Sequence, residues 1–421
     1  MLAVLPVHPA SADVGSPAFG KFLGTFTPEE LSQQSRATLS EADIAATTTC
    51  VDTAAGSKER RQGAVRACTQ MSSQISTGIV SGAPGGTAQA IAADVCSITN
   101  PASWWYQRFG SCFKDLVATY TLVNSNGATT GTATMTVTGS MTLNPTSSTW
   151  SELLTVKVTN TTGSITSLDI SMDAGCDAPC AMSTPSPWAG PRTLAMNQSA
   201  SGTVTYTDSP ASGAQDRFST KYHMYVVATG AIPTQPNYNW TNPRQIRCDR
   251  AVGSSAGCVY PDIKAQLVLP LSQYGAAAAT YGWAQNNLID HWGAADSPLH
   301  RIASEATADA NRNATCYTPL DPFIPFGDSV VVDDSCDEFP FARTLEGGTT
   351  GSMCADVVPL LQNGVWTFYQ ANNAKPVTFN EPCIRGHVPE LENKAAGGKL
   401  GSFAQTDRVM DLEGYTVLIT Q

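Results

Sequence analysis

Cys336-Asp337-Glu338-Phe339-Pro340-Phe341-Ala342, followed by Glu346-Gly347-Gly348 and later by Val388-Pro389-Glu390-Leu391-Glu392-Asn393-Lys394-Ala395-Ala396-Gly397-Gly398, is the stretch around which the chain is organised. It sets two adjacent carboxylates beside a cysteine and an aromatic-proline turn, with a third carboxylate ahead of a glycine pair. Glu392-Asn393 precedes a small-residue run that can start a helix, Asn being a favoured cap. Carboxylate and amide oxygens are the ligands expected for magnesium, manganese or calcium, and no spacing here matches the Cys and His pairs of a zinc site. Phosphate chemistry is the first reading of so much acid. The plain alternative is that Asp337 and Glu338 form a solvated turn and Asn393 only caps its helix.

The order of these parts resembles the secreted bacterial NucA/NucB-type deoxyribonucleases. Their motif begins Asp-Glu, an aromatic and Pro, and runs to Glu-Gly-Gly. A second block reads Val, Ser or Pro, an acidic residue, Asn and a Gly/Ala-rich turn, before a closing hydrophobic strand, matched here by Arg408 to Ile419. The resemblance is specific over roughly the last quarter of the chain and extends weakly upstream through Pro298-Leu299-His300-Arg301 and Asp309-Ala310-Asn311-Arg312.

That resemblance implies a ββα-metal-like nuclease domain with an aspartate where most such enzymes place a histidine base. By position it makes Asp337 the general base and Asn393 the metal ligand at the helix start. Glu338 and Glu346 become catalytic candidates and Glu392 a metal candidate; each could bind the metal, hold a metal-bound water or orient Asp337. The implied cofactor is Mg2+ or Mn2+, with Ca2+ also admitted, and the implied substrate is DNA. In such hydrolysis a base takes the proton of the attacking water while a cation offsets charge on the phosphoryl and leaving oxygens. Arg343, Lys394, Lys399 and Arg408 are the nearest basic side chains for phosphate. One departure lies between the blocks. A segment bounded by Cys354 and Cys383, carrying Trp366, Phe368 and Tyr369, replaces the short turn of compact relatives and reads as a stapled insertion. Pairing of its cysteines would leave the two blocks close in space.

At 421 residues, with 42% hydrophobic and 14% charged, the chain suits two or three domains with buried cores. No window approaches the apolar length of a membrane span, so no stable membrane insertion is expected. Met1 to Val7 and Pro9-Ala10-Ser11-Ala12 read as the end of a secretory signal, residues 1–12, cleaved after Ala12. Twelve cysteines, spread along the chain, suit export and up to six disulfides. Cys176 with Cys180, Cys248 with Cys258, and Cys316 with Cys336 are reasonable first pairings; a bridge at Cys336 would clamp the strand that carries Asp337.

The expected architecture is an α+β multidomain chain. Residues 13–110 form a partly helical N-terminal region, with a helix near Thr27-Pro28-Glu29-Glu30-Leu31 and another from Lys58 to Cys68. Ser81 to Thr87 is a loop whose glycines lack the Gly-Lys-Ser/Thr of a phosphate cradle. Residues 111–272 alternate at period two between turn clusters, as in Thr132 to Thr138, and predict an antiparallel β-sandwich-like domain. Residues 273–421 form the nuclease-like domain, entered by an Ala-rich helix over Ala276 to Leu288. Gly253-Ser254-Ser255-Ala256-Gly257 fits the serine-hydrolase pattern but lies between two cysteines rather than between strand and helix. His291, His300 and His387 read as structural or surface residues.

A net charge of -11 and a pI near 4.9 sit awkwardly with a grip on DNA, which ordinarily comes from many Lys and Arg contacts. The balance predicts weak, salt-sensitive binding and a firm metal requirement. It also keeps a second reading, a secreted β-rich adhesion or wall-associated protein whose nuclease-like end is inactive. Inhibitor contact, cell-wall contact and oligomeric state have no sequence signal.

Overall fold

The computed structural model describes residues 20–32, 38–43, 48–71, 74–79, 96–97, 102–232 and 237–421. The signal remnant read at 1–12 and the loop from Ser81 to Thr87 lie outside the described residues. The chain forms two compact units, and the described part is mostly β.

One unit takes the described residues from 38 to Leu267, together with Leu400–Thr416. Its spine is three long antiparallel strands, Gly110–Asn124, Thr129–Thr142 and Thr149–Gly163. Along Thr129–Thr142 every second residue is buried, which is the period-two alternation turned into one dry face and one wet face. Asn124 makes the first turn locally, since its Oδ1 accepts from the amides of Asn126 and Ala128. A second sheet of Arg192–Ala195, Ser167–Cys176, Thr220–Ala228 and Asn237–Thr241 sends Ile170 and Met224 into the core that Val137 and Val156 enter from the first. Each such side chain contributes roughly 1.5–3 kcal/mol by leaving water.

The helical reading of the N-terminal region is corrected. Pro28–Leu31 is a single turn, opened by Thr27 and Glu30 as a reciprocal capping box, and Lys58–Arg61 is another. The helix expected to run on to Cys68 stops because Gly63 takes φ +90. The chain leaves as strand Ala64–Met71, paired with Thr48–Asp52 on one side and Gly110–Asn124 on the other. Cys68 lies directly across from Cys50 and bonds to it.

The other unit takes the described residues 20–32, Val268–Lys399 and Val417–Gln421. Its five-stranded sheet runs in the order Phe22–Phe26, Val365–Gln370, Ala355–Gln362, Ile384–Pro389, Asp334–Phe339. The segment read as an insertion is stapled by Cys354–Cys383 but is no appendage: it supplies two strands in the interior of this sheet. Asn363 and Gly364, at φ +52 and +81, make the tight turn between them. Helix Leu271–Asn287 packs on the sheet, with its axis broken at Gly275, and helix Glu305–Cys316, capped by Ser304, packs on the edge strand. All twelve cysteines of the chain pair. Among the described residues no helix is long and apolar enough to cross a membrane.

Candidate active site

Strand Asp334–Phe339 pairs antiparallel with Ile384–Pro389, from Asp334 opposite Pro389 to Phe339 opposite Ile384. The second strand runs directly into helix Glu390–Thr406. The two motif blocks are therefore neighbours despite the chain between them. The helix begins at Glu390, whose amide donates to the carbonyl of Asp333, so Asn393 lies in the first turn rather than at the cap. Its side chain serves the sheet instead: Nδ2 donates to the carbonyl of Cys336 at 2.9 Å and to Oγ of Ser335 at 3.1 Å. With the amide nitrogen so committed, Oδ1 is the atom left to meet a ligand.

Alternation along the strand sends Asp337 and Glu338 to opposite faces. Asp337 is 4% exposed and lies under helix Leu271–Asn287, where the hydroxyl of Tyr281 sits 2.8 Å from each carboxylate oxygen. Burial pushes the Asp337 carboxyl well above its ordinary range; the charge of Glu338 adds to the rise and the Tyr281 hydrogen bond opposes it. The aromatic-proline turn has a visible purpose, because Phe339 and Phe341 pack on the Tyr281 ring at 5.4 and 4.9 Å.

Two glycines make this packing possible. Gly386 stands opposite Asp337, and a Cβ there would come 2.7 Å from Oγ1 of Thr280. Gly275 takes φ +46, and a Cβ on it would lie 2.3 Å from Oε2 of Glu392. The room so left lets Glu392 accept the amide of Ala276 at 2.5 Å. One oxygen of this metal candidate is thus spent on the kink of the helix.

On the opposite face, Glu338 is pushed up to about 7 by burial, partly offset by Arg312, whose Nε is 3.7 Å from Oε1. Cys316 Sγ is 3.5 Å from Oε2 of Glu338, a contact and not a hydrogen bond, since Cys316 is bonded to Cys336. Cys316, Cys336 and Glu338 are close enough to suggest a metal group, but only thiolates would ligate and both sulfurs are in the disulfide. His387, buried between the Phe323 and Phe326 rings, meets Oδ2 of Asp334 at 2.6 Å. Arg385 and Lys375 share the carboxylates of Asp321 and Asp356.

Glu346 is taken up by His300, accepting its Nδ1 at 2.7 Å and its backbone amide at 2.9 Å. His291 has Nδ1 2.7 Å from the carbonyl of Gln285 and serves a turn. Of the phosphate candidates, Arg343 pairs with Glu305, and Lys394, 71% exposed, pairs with Glu390 one helical turn away. Lys399 is half-buried on the same helix. Arg408 is placed differently from the reading as a phosphate contact. It is 1% exposed in the β-rich unit, where its guanidinium binds Asp249 and the carbonyls of Pro145, Ser255 and Asp249. The Gly253 to Gly257 pentapeptide closes a hairpin stapled by Cys248–Cys258, with no following helix for a nucleophile elbow.

Tyr281 carried no signal in the sequence beyond being a hydroxylated aromatic in an Ala-rich helix. It lies 56 residues before its partner.

The site is thus a paired-strand scaffold that carries a buried acid and an oriented amide. Residues 291–376 match the family model Deoxyribonuclease NucA/NucB, so a domain of that type lies in the C-terminal part of the chain and supports a deoxyribonuclease-like function. The matched segment contains Asp337, Glu338, Arg343 and Glu346; Tyr281 precedes it, and Glu392 and Asn393 follow it. No curated protein matches the chain.

Proposed function

We propose that the chain is a secreted, divalent-metal-dependent endodeoxyribonuclease that hydrolyses DNA with little sequence preference. The observation that carries this reading is the direct pairing of Asp334–Phe339 with Ile384–Pro389, followed by a helix whose Asn393 is tied back to Cys336. This is a ββα arrangement with an acid on the first strand and an amide on the helix. Asp337 acts as general base. Its buried carboxylate is a stronger base than a solvated one, and the Tyr281 hydroxyl keeps it oriented. Glu338, with Arg312, and Glu346, with His300, support the turn that follows the base.

The donors present fit a hard cation, being amide and carboxylate oxygens. Asn393 Oδ1 and the second oxygen of Glu392 would hold it. When bound, a cation of this kind would supply positive charge against the phosphoryl and leaving oxygens. Lys394, Lys399 and Arg343 are the cations nearest the motif blocks in sequence and would meet backbone phosphates weakly, given a net charge of -11. Export is supported by six disulfides, which suit an oxidising compartment.

The test is cleavage of closed circular DNA by the oxidised protein with magnesium or manganese, with chelator, and with Asp337→Ala and Asn393→Ala in parallel. Nicking should vanish with chelator and fall at least about a hundredfold in each variant, some 2.7 kcal/mol of transition-state stabilisation. The burial of Asp337 favours a second reading, a wall-associated β-rich binding protein with an inactive nuclease-like end. Folded wild-type protein that cuts nothing and binds wall polymer saturably would select it. Cleavage untouched by both substitutions would leave a nuclease with another site.

A further inference from the structure

The described residues 20–32 belong to the same unit as the acidic motif blocks, although the sequence reads as a separate N-terminal region there. Strand Phe22–Phe26 closes the sheet edge beside Val365–Gln370, and the Phe26 ring meets Phe368 edge-on at 5.6 Å. Phe368 in turn stacks on Trp283 of helix Leu271–Asn287 at 5.7 Å. The turn Pro28–Leu31 then carries the chain onto that helix. Leu31 is fully buried. Nδ2 of Asn286 donates to the carbonyl of Glu30 at 3.2 Å, and Nε2 of Gln421 donates to Oε1 of Glu29 at 2.9 Å.

The approach is closest at Gly282, between Tyr281 and Trp283. A Cβ on Gly282 would come 2.9 Å from the carbonyl oxygen of Leu31, a backbone atom, and 3.5 Å from its Cβ. Glycine inside a helix is unfavourable by propensity, and Gly275 already breaks this one. The nearness of Leu31 is the physical reason for a second glycine. Beyond Gly275 the helix is too short to be stable alone, so what packs against it sets its place. The Phe339 and Phe341 rings meet it at Tyr281, and the segment ending at Leu31 meets it at Gly282.

We propose that Phe22–Leu31 is a positioning strap of the nuclease-type domain. Leu31 and Gly282 act as positioning residues: by fixing the helix they hold the Tyr281 hydroxyl at hydrogen-bond distance from Asp337. A displacement of about 1 Å would break that bond. The inference rests on the reading of Asp337 as general base.

The experiment compares full-chain variants by thermal unfolding and by cleavage of closed circular DNA with magnesium, well below Tm. Helix propensity alone would make Gly282→Ala stabilising, as it should make Gly398→Ala, whose Cβ would meet nothing within 4 Å. Contact with Leu31 reverses the sign: Gly282→Ala should lower Tm by about 2–4 °C while Gly398→Ala raises it. Leu31→Ala should lower kcat about tenfold with KM little changed, and Leu31→Met should restore most of the loss. In a Tyr281→Phe background Leu31→Ala should change kcat less than about twofold, since both act through one hydrogen bond. A higher Tm in Gly282→Ala, or losses in Leu31→Ala and Tyr281→Phe that simply multiply, would overturn the proposal. Should wild type cut nothing, the nuclease reading fails, and the sign at Gly282 alone decides whether the strap holds the helix. Should Leu31→Ala fail to fold, Gly282→Ala takes its place in the double-variant comparison.

Discussion

The hydroxyl of Tyr281 stands 2.8 Å from both carboxylate oxygens of Asp337. One proton is thus shared across the whole carboxylate, and it favours the ionised form in a place where burial and Glu338 disfavour it. Tyr281→Phe removes that bond and leaves the ring packing on Phe339 and Phe341. The pKa of Asp337 rises further, so the acid limb of the pH–rate profile should move to higher pH, with kcat near neutrality falling on the order of tenfold and KM little changed. A profile identical to wild type would remove Tyr281 from the machinery.

Asn393 reaches the strand through its amide nitrogen, so the two obvious substitutions should differ. Asn393→Ala loses two hydrogen bonds. Asn393→Asp puts a carboxylate oxygen against the carbonyl of Cys336 and should be the less stable of the two by about 1–3 kcal/mol. Chemical denaturation of both variants checks the order; equal midpoints would mean that Asn393 does not hold the strand.

The Cys316–Cys336 bridge closes a loop with a sequence separation of 20 immediately before Asp337. Replacing both cysteines by alanine should cost about 3 kcal/mol of stability by freeing the unfolded chain. On the proposed assignment turnover should fall as well, below the temperature at which the variant unfolds, because helix Glu305–Cys316 no longer clamps the strand that carries Asp337. A variant of reduced Tm with wild-type kcat would make the bridge structural only.

Glu152 is 1% exposed, takes the hydroxyls of Tyr206 and Tyr222, and is pushed up to about 7 by burial. Its folded pKa lies above its unfolded one, so its contribution is fully present below about pH 4.5 and is lost as pH rises through 7. Glu152→Gln should therefore stabilise the protein more at pH 8 than at pH 4.5, by at most about 3 kcal/mol. Parallel Tm–pH curves for the two proteins would contradict this.

Arg408 carries the charge of Asp249 in the interior of the β-rich unit. Arg408→Gln leaves Arg247, 3.3 Å away, as the remaining ionic partner of Asp249 and should cost about 1–3 kcal/mol of stability. The salt dependence of DNA cleavage should stay as in wild type. A flatter salt slope with unchanged Tm would restore it as a phosphate contact.

Much that is local was legible from the residues alone. Period-two alternation over Thr132 to Thr138 became a half-buried strand, Thr27 and Pro28 opened a helical turn, and Ala276 to Leu288 fell in a helix ending at Asn287. Each follows from backbone preference within a few residues. The order of the acidic blocks likewise pointed to a nuclease-type domain, which the match over 291–376 bears out.

Tertiary packing decided the rest, because side chains far apart in sequence had to be brought together before their chemistry existed. The Lys58 to Cys68 helix gave way to a strand once Gly63 turned the chain and two neighbouring strands offered hydrogen bonds. The stretch between Cys354 and Cys383 became interior strands because a sheet edge stood ready to pair with it. Tyr281, from a helix with no motif, met Asp337 only when that helix lay on the sheet, and Arg408, read as a phosphate contact, was claimed by a buried Asp249. Short-range propensity names the elements; burial and charge pairing across the fold choose their partners.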